Sequence, residues 1–216
     1  AGFSHILVAA MTIMKPNLHE IEDFVSLAED LGIQMVHFPV FQTFGRGFNN
    51  QELLKLSPDD MRKAVQCLSA SWRKHRDRIA FSLSPEIFKR FISVNKKDYC
   101  GAGIGLWSIE PDGRVTACSG LTDLQFTAGN IREQSLEEII YKSFVTKKFR
   151  SLSIKHNQKC ASCELRFLCG GGCHINNLIR YGSLASIPTN CEEEKAWFWE
   201  WLKESALNRV REEVKA

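Results

Sequence analysis

Hydrophobic and polar positions follow two different periods along the first 95 residues. Residues 6–13 are almost continuously apolar, which is typical of a parallel strand buried on both faces. A helical pattern follows, with Asn17 as its expected N-cap and Gly32 at its end. Residues 33–40 form a second apolar run. This order predicts a βαβ unit with parallel strands and a right-handed crossover.

The pattern in the rest of this region predicts further alternation of helix and strand. The loop at residues 42–50 leaves the second strand at its carboxyl end, where parallel α/β folds bind ligands. A helix capped by Ser57 and a third strand over residues 79–83 are expected next. Two or three strands are too few for a complete barrel. Residues 1–95 are therefore either a small α/β domain or, as we favour, the carboxy-terminal part of a larger (β/α) barrel.

A change of pattern marks a second region, which we place at residues 96–216. Residues 106–118 predict a β-hairpin, because Pro111-Asp112-Gly113 is a turn sequence between two alternating runs. A capping box at Ser135 opens a helix that we expect to reach Phe149. The chain is thus expected to combine an α/β partial barrel with a small α+β domain that holds a hairpin and a C-terminal helix.

Composition excludes several classes of function. The chain has 216 residues, 25% of them charged, and a net charge of +3, which is too small to argue for a nucleic-acid partner. The longest apolar run is too short to cross a bilayer, and no signal peptide pattern opens the chain. We therefore expect a cytoplasmic protein with no membrane partner. In that compartment, cysteines serve as metal ligands or buried thiols more often than as disulfides.

Cysteine spacing carries the candidate chemistry. The chain has eight cysteines, and seven of them follow the proposed boundary: Cys100, Cys118, Cys160, Cys163, Cys169, Cys173 and Cys191. Short gaps between thiols let one turn supply two metal ligands, and the Gly170-Gly171-Gly172 run lets backbone approach a cluster closely. One zinc ion would use four thiolates and leave three, so two iron–sulfur clusters suit this set better. The remaining thiol, Cys67, lies on the apolar face of a helix and is expected to be a core residue.

The spacing of these cysteines resembles the SPASM domain of radical S-adenosylmethionine (SAM) enzymes. The matching strings are Cys100-x12-Gly113-x4-Cys118 and Cys160-x2-Cys163-x5-Cys169-x3-Cys173, followed after a gap by Cys191. The segments at residues 109–115 and 129–131 are also similar to that family. Less specifically, residues 6–50 resemble the last βαβ unit of the radical SAM barrel.

The resemblance implies two [4Fe–4S] clusters and a division of the thiols between them. Cys160, Cys163, Cys169 and Cys191 would hold the distal cluster, and Cys100, Cys118 and Cys173 the cluster nearer the active site. The second set leaves one iron without a cysteine, and we favour an open or exchangeable position there. The Cys-x3-Cys-x2-Cys signature of SAM cleavage appears nowhere in the sequence. SAM and a third [4Fe–4S] cluster are therefore expected only in a longer chain or a partner.

Three functions follow from these patterns. We favour the C-terminal portion of a radical SAM oxidoreductase, whose auxiliary clusters transfer electrons during modification of a peptide or protein. Its partners would be that substrate and an electron donor such as flavodoxin or ferredoxin. The alternatives are a stand-alone iron–sulfur electron-transfer module and a zinc-stabilised interaction domain. Catalytic and SAM-binding residues stay unassigned. His37 is expected to be a core residue, and His174 is expected either on the surface or behind a metal ligand. The tryptophans of the last helix are expected to pack in the core.

Overall fold

A computed structural model describes residues 6–88, 98, 100–121 and 124–214. The chain divides into two compact units, the first made of Ala1–Lys96 and Asn190–Ala216 and the second of Lys97–Thr189. This division lies close to the boundary expected after residue 95. The C-terminal helix, which the sequence placed in the second domain, groups with the first unit instead.

Short strands and helices of mixed length make up the described chain. The strands are β1 (Val8–Ala10), β2 (Met35–His37), β3 (Ala80–Phe81), β4 (Ser108–Ile109), β5 (Arg114–Thr116) and β6 (Thr127–Asn130). The helices are α1 (Ile21–Asp30), α2 (Arg46–Asn49), α3 (Gln51–Leu54), α4 (Pro58–His75), α5 (Leu136–Lys142), α6 (Phe144–Arg150), α7 (Gln158–Ala161), α8 (Arg166–Cys169), α9 (His174–Tyr181) and α10 (Cys191–Glu213). Among these helices, none is long and apolar enough to cross a membrane.

The first unit is built on a parallel sheet in the order β1–β2–β3. Ala9 pairs with Val36, and Val36 pairs with Phe81, so the predicted parallel arrangement of the first two strands is confirmed. The strands are shorter than the apolar runs that predicted them. An isolated parallel bridge between Ile13 and Val40 continues the pairing of β1 with β2.

One face of this sheet packs against α1, α4 and α10. Val36 and Phe81 point into the resulting core, where Val25, Leu68 and Trp201 are buried. Two polar contacts also join α4 to α10, from Arg73 to Glu204 at 3.0 Å and from Gln66 to Glu200 at 2.8 Å. The last helix belongs to the first unit because its buried side chains complete this core.

The opposite face of the sheet is open to solvent. The relative exposure is 66% for Ile6, 55% for Leu7 and 50% for Val8, so the first apolar run is not buried on both faces. His37, expected in the core, is exposed on this face, and its Nδ1 lies 2.7 Å from Oγ of Ser82. Alternation along a strand separates two faces, and only the packing of the helices decides which face is covered.

Two helix caps predicted from the sequence are confirmed, and a third is wrong. The hydroxyl of Ser57 accepts from the backbone N–H of Asp60 at 3.2 Å, and Ser135 caps α5 in the same manner. The expected cap at Asn17 is wrong, because a 3-10 helix covers Lys15–Glu20 and the Asn17 side chain accepts from the backbone N–H of Met14. The helix expected to reach Phe149 is divided by an extended residue between α5 and α6.

The second unit contains an antiparallel sheet in the order β4–β5–β6. The predicted hairpin at residues 106–118 is confirmed by the pairing of β4 with β5. Gly113 has a φ of 88°, a conformation that residues with a Cβ seldom adopt, and the carboxylate of Asp112 accepts from the backbone N–H of Arg114 at 3.1 Å. Val115 and Ile139 lie fully buried between this sheet and α5.

A buried histidine joins α1 to α4 and makes stability depend on pH. His75 places Nε2 3.0 Å from a carboxylate oxygen of Glu22 and Nδ1 2.5 Å from one of Glu29. Partial burial acts to raise the pKa of Glu22, but hydrogen bonds from Lys74 and His75 outweigh it and lower the pKa from 4.5 to about 2. The stabilisation by this carboxylate is therefore fully present above pH 4.5 and is lost as the pH falls towards 2.

We expect Glu22→Gln to lower the free energy of unfolding more at pH 6 than at pH 3. The reason is that only the ionised carboxylate is favoured in the folded state. Urea unfolding of the wild type and the variant at both pH values measures this difference. Glu20→Gln is the control, because the exposed Glu20 carboxylate pairs with no described residue other than His19, at 3.8 Å. An equal loss at both pH values would contradict the prediction.

Candidate metal centre

Three of the predicted ligands surround one cavity in the second unit. Cys100, Cys118 and Cys173 line a cavity of about 120 Å³. Its apolar walls are formed by Ala102, Leu106, Leu121, Phe149, Ile175 and Leu184. A water molecule in the liquid takes roughly 30 Å³, so the cavity is larger than a single water molecule requires. Thiols that are far apart in the sequence thus meet in a largely apolar environment.

A tight loop presents Cys100 to this cavity. The carbonyl of Gly101 accepts from the backbone N–H groups of Ile104, Gly105 and Leu106, at 3.1, 3.0 and 2.9 Å. Gly103 has a φ of 66°, and a Cβ there would lie 2.8 Å from Cβ of Phe149. Only glycine fits this position without displacing the cavity wall.

The hairpin presents Cys118 from the end of β5. The Thr116 hydroxyl donates to the carbonyl of Cys118 at 3.1 Å, and Thr116 itself is fully buried. The backbone N–H of Leu121 donates to the same carbonyl at 2.9 Å. These bonds fix the turn that carries the second thiol.

A run of left-handed glycines presents Cys173. Gly170, Gly171 and Gly172 have φ values of 61°, 85° and 68°. His174 is 5% exposed, and its ring nitrogens lie 2.9 Å from the carbonyl of Gly170 and 2.8 Å from that of Leu184. The surface position considered for His174 is therefore wrong, since it lies behind the thiol and ties the glycine run to the next loop.

The other thiols of the second unit lie on consecutive turns. Cys160 is on α7, and its carbonyl accepts from the backbone N–H of Cys163 at 3.0 Å. Arg166 donates to the carbonyl of Cys163 through its backbone N–H at 3.2 Å and its guanidinium at 3.0 Å. Cys169 ends α8, where Gly170 forms a left-handed cap. This chain of turns places three thiols along one short segment.

The two remaining cysteines belong to the first unit. Cys191 begins α10. Cys67 lies on α4 and packs against the core of that unit, in agreement with its expected role as a core thiol. All eight cysteines lie within the described residues.

The donor chemistry suits iron–sulfur clusters. Among the described side chains, no three from Cys, His, Asp or Glu converge closely enough to hold a single metal ion. Thiolates are the usual ligands of clusters, and an apolar surrounding limits the access of water to them. Three thiols spread around a cavity can instead hold separate irons of one cluster.

Comparison with known proteins identifies relatives of both units. Residues 100–164 match SPASM, an iron–sulfur cluster-binding domain. The chain is 28% identical over 176 residues to the AdoMet-dependent heme synthase of Methanosarcina barkeri (strain Fusaro / DSM 804), covering 74% of this chain and 48% of the relative. It is 24% identical over 185 residues to the PqqA peptide cyclase of Methylorubrum extorquens, covering 83% and 46%. The chain spans about half the length of these curated relatives.

Solved structures share the fold. Native anSMEcpe with bound AdoMet matches with a TM-score of 0.69 and 16% identity, over 93% of this chain and 57% of that chain. SuiB of Streptococcus suis bound to S-adenosylmethionine matches with a TM-score of 0.60 and 21% identity, over 83% and 43%. Further structures of the two proteins contain the Kp18Cys peptide and the precursor peptide SuiA.

Proposed function

Because the chain belongs to the radical SAM/SPASM family, we propose that it is the C-terminal portion of an enzyme that uses two auxiliary [4Fe–4S] clusters in peptide or protein modification. One observation carries this proposal. Three thiols of the SPASM pattern, Cys100, Cys118 and Cys173, line a single apolar cavity. Thiols so arranged suit a cluster better than a single ion.

The thiols divide into two ligand sets under this proposal. Cys100, Cys118 and Cys173 hold one cluster, and Cys160, Cys163, Cys169 and Cys191 hold the other. A bound [4Fe–4S] cluster accepts or gives one electron. The chain's own part is to fix the thiols: the Gly101 carbonyl closes the first loop and His174 holds the glycine run. The apolar cavity wall limits the access of water to the thiolates.

The open face of the first sheet supports a larger barrel. Val8 exposes its apolar side chain there, and Ile6 and Leu7, which precede β1, are exposed as well; apolar surface of this kind is normally covered by further structure. We infer that residues 1–95 form the C-terminal part of a radical SAM barrel. SAM and its own cluster would then be bound by a further part of the enzyme, in the same chain or in a partner.

The names of the relatives support one proposal for the substrate class. The names PqqA peptide cyclase and precursor peptide SuiA favour a peptide substrate for this protein. A haem precursor is the second candidate, because the relative from Methanosarcina barkeri has the higher identity, 28% against 24%. A candidate peptide can be incubated with SAM, a reductant and the complete enzyme. A change in the mass of the peptide would favour the peptide substrate over the haem precursor.

Metal content tests the proposal directly. Protein prepared without oxygen is expected to carry about eight irons and eight sulfides per chain when both sites hold four-iron clusters. Iron, sulfide and zinc analysis of the same sample measures this. Stoichiometric zinc without iron or sulfide would overturn the cluster assignment.

An exchangeable ligand position is expected at one cluster only. The described lining of the cavity offers three thiols and His174, whose ring nitrogens both face backbone carbonyls. One iron is thus left without a cysteine and is open to a soft external ligand. Cyanide or a small thiol should change the electron paramagnetic resonance signal of one cluster in the reduced protein.

Cys67→Ala is the matched control for this experiment, because Cys67 packs in the core of the first unit. Both clusters should persist in that variant. Loss of the cavity cluster in Cys67→Ala, or four protein ligands on it in a crystal structure, would rule out the open position.

A further inference from the structure

One face of α6 exposes an aromatic side chain together with positive charge. Phe144, Lys147 and Lys148 are spaced three and four residues apart, so they lie on the same side of this helix. All three are exposed, and Phe144 is 79% exposed, an unusual value for a phenylalanine. The opposite side of the helix, which carries Thr146 and Phe149, is buried. The exposed face is therefore not needed to attach α6 to the second unit.

A second aromatic side chain extends this face. Tyr141, near the end of α5, is 63% exposed, and Cζ of Arg150 lies 5.3 Å from the centre of its ring. Arg150 follows Lys147 by three residues, which places it at the side of the same helical face. The α6 surface is defined here as Tyr141, Phe144, Lys147, Lys148 and Arg150.

The positive charge of the α6 surface has no acidic counterpart nearby. Lys147, Lys148 and Arg150 form no ion pair with any residue that the structure describes. The sequence contains no Asp or Glu over residues 139–163. Unpaired cations beside exposed aromatic rings favour a partner that supplies carboxylates and an apolar side chain together.

This arrangement favours a peptide over a nucleic acid or a membrane. Proteins that bind nucleic acid neutralise roughly six to ten phosphates, and the three unpaired cations of the α6 surface are fewer. A helix that lies on a membrane places its apolar and charged side chains on opposite faces, whereas Phe144 shares one face with two lysines. The helix is about 10 Å long, which matches about three residues of an extended peptide.

The buried side of α6 forms part of the candidate metal centre. Phe149 lines the cavity that contains three of the cluster-type thiols. The Thr146 hydroxyl donates to the carbonyl of Ile139 at 3.0 Å and so ties α6 to α5. A segment bound to the α6 surface would lie across one helix, roughly 10 Å, from the cavity. Part of a substrate can thus be held beside the centre without occupying it.

We propose that the α6 surface docks an acidic segment of the peptide substrate, outside the residues that react. This inference rests on the proposed function, which assigns a peptide substrate to the enzyme. Carboxylates of the segment pair with Lys147, Lys148 and Arg150, and an apolar side chain covers Phe144 and Tyr141. Binding of a segment that does not react lowers the KM without changing kcat, because it stabilises the bound substrate and the transition state equally.

Binding of a labelled peptide in which glutamates flank one leucine tests the surface in the cluster-loaded chain. Fluorescence anisotropy measures the affinity. Lys147→Glu/Lys148→Glu should weaken binding about tenfold at low salt and reduce its dependence on ionic strength. Phe144→Ala should weaken binding about fivefold and leave the salt dependence unchanged. The substituted side chains are exposed, so circular dichroism should show wild-type folding of both variants.

A double variant in the first unit supplies the matched control. Lys15→Glu/Lys63→Glu changes the net charge equally at two exposed lysines and should keep the wild-type affinity. A second peptide with glutamine in place of glutamate should not bind. Equal losses in the two double variants would overturn the proposal, as would tighter binding of single-stranded DNA or of phosphatidylserine vesicles than of the acidic peptide.

The complete enzyme tests the assignment to the substrate. The acidic peptide should raise the KM for any peptide that the enzyme modifies and should leave kcat unchanged. An acidic peptide that binds the α6 surface without competing would overturn the assignment. Absence of iron and sulfide in the wild type would refute the proposed function separately, because binding of the acidic peptide needs only the folded α6 surface.

Discussion

Replacing Cys118 with alanine is expected to remove about four of the eight irons, whereas replacing Cys163 is expected to lower the content of the other four. Cys118 lines the cavity shared with Cys100 and Cys173, so its loss leaves that cluster two thiolates. Cys163 lies on the separate run of turns between Cys160 and Cys169. The cavity cluster would then have two thiolates for four irons and is not retained, because ligand binding supplies its stability. Cys163→Ala leaves the other cluster three thiolates in place of four, so that cluster is weakened and its iron content falls without complete loss.

Iron analysis and electron paramagnetic resonance of anaerobic samples distinguish the two outcomes. Each variant should keep one four-iron signal at full intensity, and the two fully retained signals should differ from each other. Cys67→Ala serves as the control and should keep both. Selective loss of the cavity cluster in Cys163→Ala would show that the two ligand sets are wrongly assigned.

The largest effect on stability is expected at Trp201. This side chain is fully buried, with its ring 5.8 Å from that of Phe88 and 5.9 Å from that of Trp197. Truncation of a buried tryptophan to alanine costs about 3–5 kcal/mol. Nε1 of Trp201 is buried without a hydrogen-bond partner among the described residues, and removing such a group recovers part of the cost. We therefore expect Trp201→Ala to lower the unfolding free energy by about 3 kcal/mol.

Trp199 provides a control of the same residue type on the same helix. It is 47% exposed, so Trp199→Ala should cost less than about 1 kcal/mol. Urea unfolding of both variants, followed by circular dichroism, measures the difference. Similar losses at the two positions would show that α10 does not dock on the first unit through Trp201.

Short-range signals in the sequence were sufficient for several local structures. The cap at Ser57 and the turn at residues 111–113 were predicted because their stabilising contacts lie within four residues. The cap at Asn17 failed because that side chain bonds to the backbone of Met14, which starts a 3-10 helix earlier. The division between α5 and α6 was missed because the buried Thr146 hydroxyl donates to the carbonyl of Ile139, a contact that the helical period does not encode.

Long-range packing decided what the patterns left open. Both faces of β2 are chemically plausible core faces, and the helices cover Val36 while leaving His37 exposed. The aromatic residues of α10 are compatible with either domain, and burial of Trp201 assigns the helix to the first unit. In each case the sequence specifies apolar surface, whereas the partner of that surface depends on residues distant in the chain.

The sequence by itself was sufficient to predict iron–sulfur chemistry, because that prediction depends only on the number and spacing of the cysteines along the chain. It also indicated the family, in agreement with the match at residues 100–164. Only the tertiary structure brought Cys100, Cys118 and Cys173 to one cavity. Spacing reports neighbours along the chain, but a cavity is formed by segments that meet only when the core is packed.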